Sequence, residues 1–401
     1  MEANKTLNKE NGGKSRKRVY EHDLSPTDVS RRHLESFPNL SSHHSLYEKS
    51  FPFYRMPSEV GQFSLDKERR YHGDARKLRY YRPPTEGKWA SPGWDLIDGY
   101  EDCYARRDEE EKEGLLHILT WAKDNQEKVG GPTGSGSKRP VNRDFVTWRG
   151  HLTKILCTPF ETQEGWLLAV TLFKGTFYLS EKETEAARKK RLERTCEQDK
   201  LMYSGYKFES YMCADTPDGS PNPSGVVNTN EGFCSVLLAR LASHSILLSG
   251  EVDCVDPSAS KPQPPSCYVE LKSSAQIWNP HQQRSFNRYK LLKWWCQSFL
   301  LGIPLIVAGF RSQEGKVVAL QKFRTSEIPL LVRGDKNSWD PAVCMNFCDA
   351  FLTHIKNVVN RDDPGLVYLF SWEPGSDVTC SMYSDPDLLI LPPWYVEAMS
   401  R

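Results

Sequence analysis

Two short segments of the chain, residues 249–255 and 267–272, alternate polar and apolar positions with a period of two. In a β-strand, side chains two residues apart point to the same face of the sheet. The pattern therefore predicts two strands, each with one apolar face. Residues 257–265 between them are rich in Pro and Ser, which is typical of a loop, and we expect the strands to be antiparallel neighbours.

The polar face of this predicted strand pair carries three acids and one base. Glu251 and Asp253 share a face of the first strand, and Glu270 and Lys272 share a face of the second. If the strands pair, three carboxylates and one ammonium group converge. The simpler interpretation is two solvated strand faces with a salt bridge such as Asp253 to Lys272.

The remaining hydrophobic pattern predicts a mixture of helices and strands. Helices are predicted at residues 108–123, 181–200, 228–242, 280–301 and 342–359, with 201–212 at or near a helix. Strands are predicted at 145–155, 166–170, 176–179, 304–311, 317–323 and 366–372, with 388–396 strand-like. Because composition does not change after residue 51, we expect one catalytic domain of the α/β (α+β) class over residues 51–401.

Residues 1–50 are polar and lack periodicity, which predicts a disordered basic tail. Its cluster of Lys and Arg at residues 14–18 is compatible with nuclear import, although such clusters are common in disordered tails. Residues 51–84 interleave aromatic residues with Arg, a pattern that suits either nucleic-acid contact or packing against the domain.

Composition excludes several classes of protein. Lys plus Arg is 53 and Asp plus Glu is 52 in 401 residues, so no overall basic charge indicates nucleic-acid binding. The eleven cysteines include no Cys-x-x-Cys pair, which argues against a disulfide framework or a zinc ribbon. The start of the chain lacks a signal-peptide pattern, and Gly302 and Pro304 interrupt its most apolar run, residues 298–310. A soluble, intracellular protein without a membrane span is expected.

Three acids held close together repel one another, and a divalent cation removes that repulsion. Hard oxygen ligands suit Mg²⁺ or Mn²⁺, and two such ions serve phosphoryl transfer in many nucleases. Lys272 would then orient or help deprotonate the attacking water. An acid followed by Glu-x-Lys on a neighbouring strand is typical of restriction-like nucleases.

Five motifs in order resemble those of the DXO family of decapping exoribonucleases. They are Trp148-Arg149-Gly150, Gly205-Tyr206-Lys207-Phe208-Glu209, Glu251-Val252-Asp253, Glu270-Leu271-Lys272 and Gly309-Phe310-Arg311. The resemblance covers about residue 51 to the C-terminus and is close enough to indicate a vertebrate member. It implies two mixed β-sheets flanked by helices, with a PD-(D/E)XK-type nuclease core.

The resemblance also implies an activity. Members remove incomplete, unmethylated caps and NAD-type caps from RNA, release pyrophosphate from 5′-triphosphate RNA, and degrade the monophosphorylated RNA 5′→3′. Each step is attack of water on a phosphorus atom near the RNA 5′ end, so one metal site can serve all of them. A monomer located in the nucleus is expected, with a possible exoribonuclease partner.

Site residues are carried over position by position. The resemblance implies that Glu209, Glu251, Asp253, Glu270 and the backbone carbonyl of Leu271 bind two Mg²⁺ or Mn²⁺ ions. Lys272 and Gln297 would place the attacking water and the scissile phosphate. From its pattern alone, Glu209 is a solvated helix acid.

Further residues resemble positions that contact substrate. Arg149 resembles the residue that holds RNA phosphates, whereas its own pattern suits a surface strand arginine. The other implied substrate-binding residues are Arg69, Glu113, Trp148, Gly150, Cys234, Glu251, Lys272 and Gln297. Arg311 is either structural or directed at phosphate.

Two other classes of function stay open from the sequence. One is a catalytically silent scaffold that binds and activates a processive 5′→3′ exoribonuclease, although a scaffold has no need of four clustered carboxylates. The other is a DNA-directed nuclease, because a restriction-like site does not itself distinguish the sugars.

Overall fold

The computed structural model of this chain describes residues 33–130, 140–335 and 338–400. Most of the predicted tail, including the basic cluster at residues 14–18, lies outside these ranges. Within them, no helix has the length and apolar character needed to span a bilayer.

The described strands are numbered in chain order. They are β1 (His33–Ser36), β2 (Tyr54–Leu65), β3 (Tyr71–His72), β4 (Tyr80–Tyr81), β5 (Tyr104–Ala105), β6 (Phe145–Trp148), β7 (Trp166–Phe173), β8 (Thr176–Lys182), β9 (Cys213–Ala214), β10 (Val227–Asn228), β11 (Gly232–Leu241), β12 (His244–Glu251), β13 (Cys254–Val255), β14 (Tyr268–Ala275), β15 (Leu305–Arg311), β16 (Val317–Arg324), β17 (Val367–Trp372) and β18 (Thr379–Tyr383).

The helices connect and cover these strands. They are α1 (Leu116–Asp124), α2 (Gln126–Val129), α3 (Arg149–Cys157), α4 (Glu185–Leu192), α5 (Cys196–Met212), α6 (Pro280–Ser285), α7 (Leu291–Leu301), α8 (Ile328–Leu331), α9 (Pro341–Val358) and α10 (Pro393–Ser400). A π-helical turn, Phe286–Lys290, joins α6 to α7.

Two mixed sheets form the framework, as predicted. The larger has the order β1-β18-β17-β7-β8-β6-β12-β11-β2-β3, and the smaller has the order β16-β15-β14-β13-β4-β9. Strand β6 is parallel to both β12 and β8, and β14 is parallel to β15, while most other neighbours are antiparallel. Strands β12 and β14, which carry Glu251 and Glu270, therefore lie inside their sheets and not at the edges.

One apolar core joins the two sheets through α3, α7 and α9. Leu152 of α3, Trp295 of α7 and Phe351 of α9 are almost completely buried in it, together with Leu248 of the larger sheet and Ile306 of the smaller one. Burial of each such side chain stabilises the fold by about 1.5–3 kcal/mol. The core therefore fixes α3 and α7 against both sheets.

Two predicted boundaries are wrong at the N-terminal side. Residues 33–50, expected in the disordered tail, include β1, which pairs with β18, and Tyr47, which is buried against Phe347. The helix expected at 108–123 begins only at Leu116, since Gly114 has a positive φ of 53° that ends the preceding turn.

The strand expected at 145–155 is also wrong after Trp148. The chain turns into α3, where Leu152, Ile155 and Leu156 are buried at helical spacing. The charged helix expected at 181–200 is two helices instead, because Thr195 forms a capping box with Gln198 that starts α5.

Residues 228–242 were expected to be a helix and instead contain β11. Both faces of this strand are buried, because Phe233 and Leu237 pack into the core between the sheets while Cys234 and Val236 pack into a second core with α1, so its apolar run does not alternate. Residues 388–396, expected to be strand-like, lead into α10, which begins at Pro393. The predictions at 166–170, 176–179, 201–212, 280–301, 304–311, 317–323, 342–359 and 366–372 are confirmed in type.

Candidate active site

The chain passes from the larger sheet to the smaller one between Glu251 and Cys254. Glu251 is the last residue of β12, and β13 begins at Cys254. Val252 is buried at the crossing, where its N–H donates to the carbonyl of Phe233 at 2.9 Å. The single strand expected over 249–255 is therefore two strands, and Glu251 and Asp253 flank the junction of the sheets.

The expected antiparallel pairing is confirmed beyond this junction. Cys254 lies opposite Val269 in β14. As a result, the N–H of Leu271 donates to Asp253 Oδ2 at 2.6 Å. Asp253 and the Glu270-Leu271-Lys272 motif are thus direct neighbours.

Glu270 is the most buried acid of this region, with 2% of its surface exposed. Its Oε1 accepts a hydrogen bond from Lys272 Nζ at 2.6 Å. Its Oε2 has no hydrogen-bond partner among the described residues. A buried polar atom without a partner is costly, so Oε2 is available for a further electropositive ligand.

The pKa shifts show how the charges oppose one another. Burial raises the pKa of Asp253 well above its usual value, and the charges of Glu270 and Glu209 raise it further. Burial also disfavours the charged form of Glu270, but the charges of Lys272 and Arg149 prevail and lower its pKa. Negative charge at this point exceeds what the neighbouring bases neutralise.

Glu209 reaches the same region from α5. Its carboxylate forms an ion pair with Arg79, and 17% of the glutamate side chain is exposed. Burial disfavours the charge of Arg79, yet the charges of Glu209, Cys213 and Asp253 raise its pKa. Arg79 was not singled out from the sequence. It lies in residues 51–84, whose pattern indicated only nucleic-acid contact or packing against the domain.

Glu251 is accessible to solvent, although protein atoms surround it closely in its cleft. This enclosure raises its pKa, as does the charge of Glu209, while Arg69, Arg79 and Arg149 lower it. We call Glu209, Glu251, Asp253 and Glu270 the acid cluster.

In the described residues, no three acidic, His or Cys side chains converge closely enough to hold a metal ion as they stand. Glu209 is turned to Arg79 and Glu270 to Lys272, so basic side chains neutralise part of the cluster. The donor set nevertheless fits a hard divalent cation, because it consists of carboxylate oxygens with excess negative charge and includes the unpartnered Glu270 Oε2.

Arg149 begins α3 and points towards the acid cluster. Its Nη2 donates to the carbonyl of Glu251 at 3.4 Å. Gly250 permits this approach, since a Cβ there would lie 2.8 Å from Leu301 and 3.1 Å from the Cβ of Arg149. The helix, and not the expected strand, therefore brings Arg149 beside Glu251.

Gln297 lies on α7 and shares a cleft of about 220 Å³ with Gly150 of α3. Gly150 is exposed, and a Cβ there would meet nothing within 4 Å. Lys293 and Glu161, joined by an ion pair of 3.0 Å, line the same cleft. Gln297 and Gly150 are therefore neighbours, but no member of the acid cluster is among the residues that line this cleft, and the placing of a phosphate by Gln297 together with Lys272 stays a prediction.

Arg69 lies close enough to Glu251 to lower its pKa, and it is paired with Glu113. Arg69 donates to Glu113 through Nε at 2.7 Å and through Nη2 at 3.1 Å. Arg107 contacts the same carboxylate at 2.7 Å, and His117 Nδ1 lies 3.6 Å from it. We call Arg69, Arg107, Glu113 and His117 the Glu113 cluster; its acid is fully matched by bases.

Trp148 and Cys234 complete the surroundings of Glu251. Trp148 Nε1 donates to the carbonyl of Gly114 at 2.8 Å. Cys234 lies opposite Glu251 in the β11–β12 ladder and is 4% exposed. It is thus on a strand and not on the helix expected for it, and burial and the charge of Glu251 raise the pKa of its thiol.

Comparison with known proteins identifies the family of this chain. The family model of RAI1-like PD-(D/E)XK nucleases matches residues 55–396. The chain is 67% identical over 401 residues to the decapping and exoribonuclease protein of Xenopus laevis, covering 100% of both. It is 56% identical over 365 residues to the protein of the same name from Homo sapiens, covering 91% of this chain and 90% of that one.

A solved structure has the same fold. The crystal structure of S. pombe Rai1 in complex with 3′-FADP superposes with a TM-score of 0.69 at 26% identity. The match covers 87% of this chain and 99% of the other. The expected nuclease fold is therefore confirmed.

Proposed function

This chain belongs to the family of RAI1-like PD-(D/E)XK nucleases, and we propose that it hydrolyses phosphate linkages at the 5′ end of RNA. The observation that carries the proposal is the junction of the sheets, where Asp253 accepts a hydrogen bond from the N–H of Leu271 and the neighbouring Glu270 accepts one from Lys272. Acids concentrated beside a base in this way suit a metal-dependent hydrolase of phosphate linkages.

The acid cluster, with the backbone carbonyl of Leu271, would hold one or two divalent cations, Mg²⁺ or Mn²⁺. When bound, the metal lowers the pKa of water and neutralises charge on the phosphate that is attacked.

Lys272 and Gln297 would orient the reacting groups. Burial disfavours the charge of Lys272, but Glu270 and Asp253 raise its pKa, so it is a cation at neutral pH. It therefore suits the binding of a phosphate oxygen and the orientation of water better than the removal of a proton. Gln297 has both a donor and an acceptor, and can hold water and phosphate together.

Arg149 would bind the phosphate that enters between α3 and β12. Trp148 and Gly150 flank it, and Arg69, Glu113 and Cys234 line the opposite side of Glu251. We propose that this enclosure holds the group that is released: a pyrophosphate, an incomplete cap or an NAD-type cap. The presence of 3′-FADP in the related S. pombe structure favours a dinucleotide-sized leaving group.

Successive reactions at one site would then remove the 5′ group and digest the monophosphorylated product 5′→3′. Each requires only that a different phosphate lie beside the acid cluster. A monomer, a location in the nucleus and an exoribonuclease partner remain predictions. The scaffold alternative is less favoured, because unmatched buried acids would only destabilise a silent protein.

The test uses RNAs of one sequence that differ at the 5′ end: triphosphate, monophosphate, unmethylated cap, fully methylated cap and NAD cap. Each is incubated with Mg²⁺, Mn²⁺ or a chelator, and the products are resolved by chromatography. Metal-dependent release of pyrophosphate or an intact cap, followed by 5′→3′ decay, is expected. Binding without turnover of any end would favour a scaffold, and equal cleavage of matched single-stranded DNA would indicate a general nuclease.

A further inference from the structure

The segment that follows Glu270 contains basic residues but no acidic ones. Residues 271–313 contain no Asp and no Glu. Their basic residues are Lys272, Arg284, Arg288, Lys290, Lys293 and Arg311. Such segregation in a chain with balanced overall charge creates a local positive field that attracts anions.

Two of these bases are matched by acids from elsewhere. Lys272 pairs with Glu270 at 2.6 Å, and Lys293 pairs with Glu161 at 3.0 Å. The other four form no ion pair with any residue in the described parts of the chain. They are therefore free to neutralise a ligand.

Two of the unmatched bases lie at the carboxyl end of β14. Lys290 Nζ donates to Ser274 Oγ at 3.0 Å, and Ser274 is 2% exposed. Ser274 is two residues beyond Lys272, on the same face of the strand and about 7 Å further along it. Arg311 lies opposite Ala275 in the β14–β15 ladder.

The environment of this pair is electropositive. Burial lowers the pKa of Lys290, and the charge of Arg311 lowers it further. Burial also lowers the pKa of Arg311. Two cations that repel each other and lack an acid are stabilised by a bound anion. Lys290 also ends the π-helical turn, a feature that is frequent at functional sites.

Trp278 stands just beyond β14 with 67% of its surface exposed. Its backbone N–H donates to Gln282 Oε1 at 2.7 Å, which fixes the turn before α6. Two residues earlier, the N–H of Gln276 donates to the carbonyl of Arg311 at 2.8 Å, so the turn that carries Trp278 begins next to Arg311. Exposed aromatic rings near unmatched bases are typical of surfaces that bind single-stranded nucleic acid.

We propose that Ser274, Lys290 and Arg311 form a second phosphate site, which binds a phosphodiester of single-stranded RNA downstream of the cleaved linkage, with Trp278 stacking on a nearby base. The inference rests on the proposed function and extends it to the body of the substrate. A polymer with regularly spaced phosphates fits a second site that is displaced from Lys272 along the same strand face. A mononucleotide cannot occupy the site beside Lys272 and this second site at once.

The test measures affinity as a function of RNA length. Fluorescently labelled 5′-monophosphate RNAs of 2 and 16 nucleotides are titrated with the full chain in a chelator, which prevents hydrolysis, and binding is followed by anisotropy at several salt concentrations. The variants are Lys290→Gln, Lys290→Gln with Arg311→Gln, and Trp278→Ala. The control is Arg324→Gln, because Arg324 lies opposite Leu305 at the other end of β15, about 20 Å from Arg311.

The wild type is expected to bind the 16-nucleotide RNA more tightly than the 2-nucleotide RNA, and we call the ratio of the two affinities the affinity gap. The double variant is expected to reduce this gap about tenfold. Loss of one phosphate contact should also reduce the salt slope for the long RNA by about 0.7. Trp278→Ala should reduce the gap by about fivefold or more at an unchanged slope. Arg324→Gln should keep the wild-type gap and slope.

The outcomes separate the two proposals. If the wild type cleaves RNA but the double variant keeps its gap and slope, the second phosphate site is wrong and the proposed function stands. If the wild type neither cleaves nor binds RNA of any length, the proposed function itself is wrong. The single variant Lys290→Gln changes an exposed residue and so guards against misfolding, and its slope should fall by less than about 0.7.

Discussion

The acid cluster and the Glu113 cluster are neighbours, since Arg69 lies close enough to Glu251 to lower its pKa, but their acids are matched by bases to different degrees. In the Glu113 cluster, one carboxylate is matched by Arg69 and Arg107 at 2.7 Å each, and its pKa is lowered although burial opposes this. In the acid cluster, Asp253 has a raised pKa and Glu270 Oε2 has no partner.

This difference indicates two separate roles. Removal of one partner from a matched buried pair destabilises the fold, because the other charge is left unmatched, whereas an acid without sufficient bases is retained at a cost that function must explain. Removing an acid should therefore destroy activity without loss of stability in one cluster, and should reduce stability in the other.

The largest expected effect is on activity. Glu251→Ala combined with Asp253→Ala should lower every hydrolytic rate at least about 10³-fold, because the ligands that would hold the metal are lost. The melting temperature should stay equal or rise, since repulsion is relieved. Glu185→Ala, which removes an acid that is 84% exposed, is the control. Retained exonuclease activity in the double variant would remove the basis of the metal site.

The second effect is on stability. Glu113→Ala should lower the free energy of unfolding by about 2–3 kcal/mol, because Arg69 and Arg107 are left with unmatched charge in a partly buried place. Urea denaturation measures it. Glu68→Ala is the matched control: its side chain is 47% exposed, and the change should be below about 0.5 kcal/mol. Equal effects of the two substitutions would contradict the contrast between the clusters.

The third effect is the pH dependence of the Glu113 cluster. Burial lowers the pKa of His117 to about 4, with Arg69 and Arg107 adding to the shift and Glu113 opposing it. Because the unfolded chain binds a proton near pH 6.5 and the folded chain does not, stability is full above pH 6.5 and falls as the pH drops towards 4. Between pH 7 and pH 5 the loss should be roughly 1–2 kcal/mol.

Urea titrations at both pH values test this, and His117→Gln should flatten the dependence. If the variant keeps the wild-type slope, His117 is not the titrating group. The acid cluster should respond differently, since acid would neutralise its repulsion there.

The sequence predicted that the segments of Asp253 and Glu270 are neighbours because that signal is local. Glu270 and Lys272 are two residues apart and share one face of their strand, and Leu271 between them is buried as expected. Most long helices were predicted from local patterns in the same way. The two sheets and the place of Glu209 in the acid cluster were expected from the family resemblance alone.

Other parts of the site depend on distant contacts. Strand β11 gave no period of two because both of its faces pack into apolar cores, so Cys234 was assigned to a helix. The pairing of Arg79 with Glu209 joins residues 130 positions apart, and no local pattern reports it. The turn from β6 into α3 was hidden by β-branched and aromatic residues that suit a strand.

The smallest expected effect concerns Arg149, which lies beside the acid cluster yet forms no ion pair among the described residues. Arg149→Gln should leave the melting temperature within about 2 °C, since only a hydrogen bond of 3.4 Å is lost. Affinity for 5′-monophosphate RNA in a chelator should fall about tenfold, and the salt slope should fall by about 0.7, the contribution of one phosphate contact to a single strand. Arg149→Lys should restore the slope but only part of the affinity, because a lysine keeps the charge and loses the planar fork. A variant that weakens binding at an unchanged slope would show that Arg149 acts by positioning Glu251 and not by contacting phosphate.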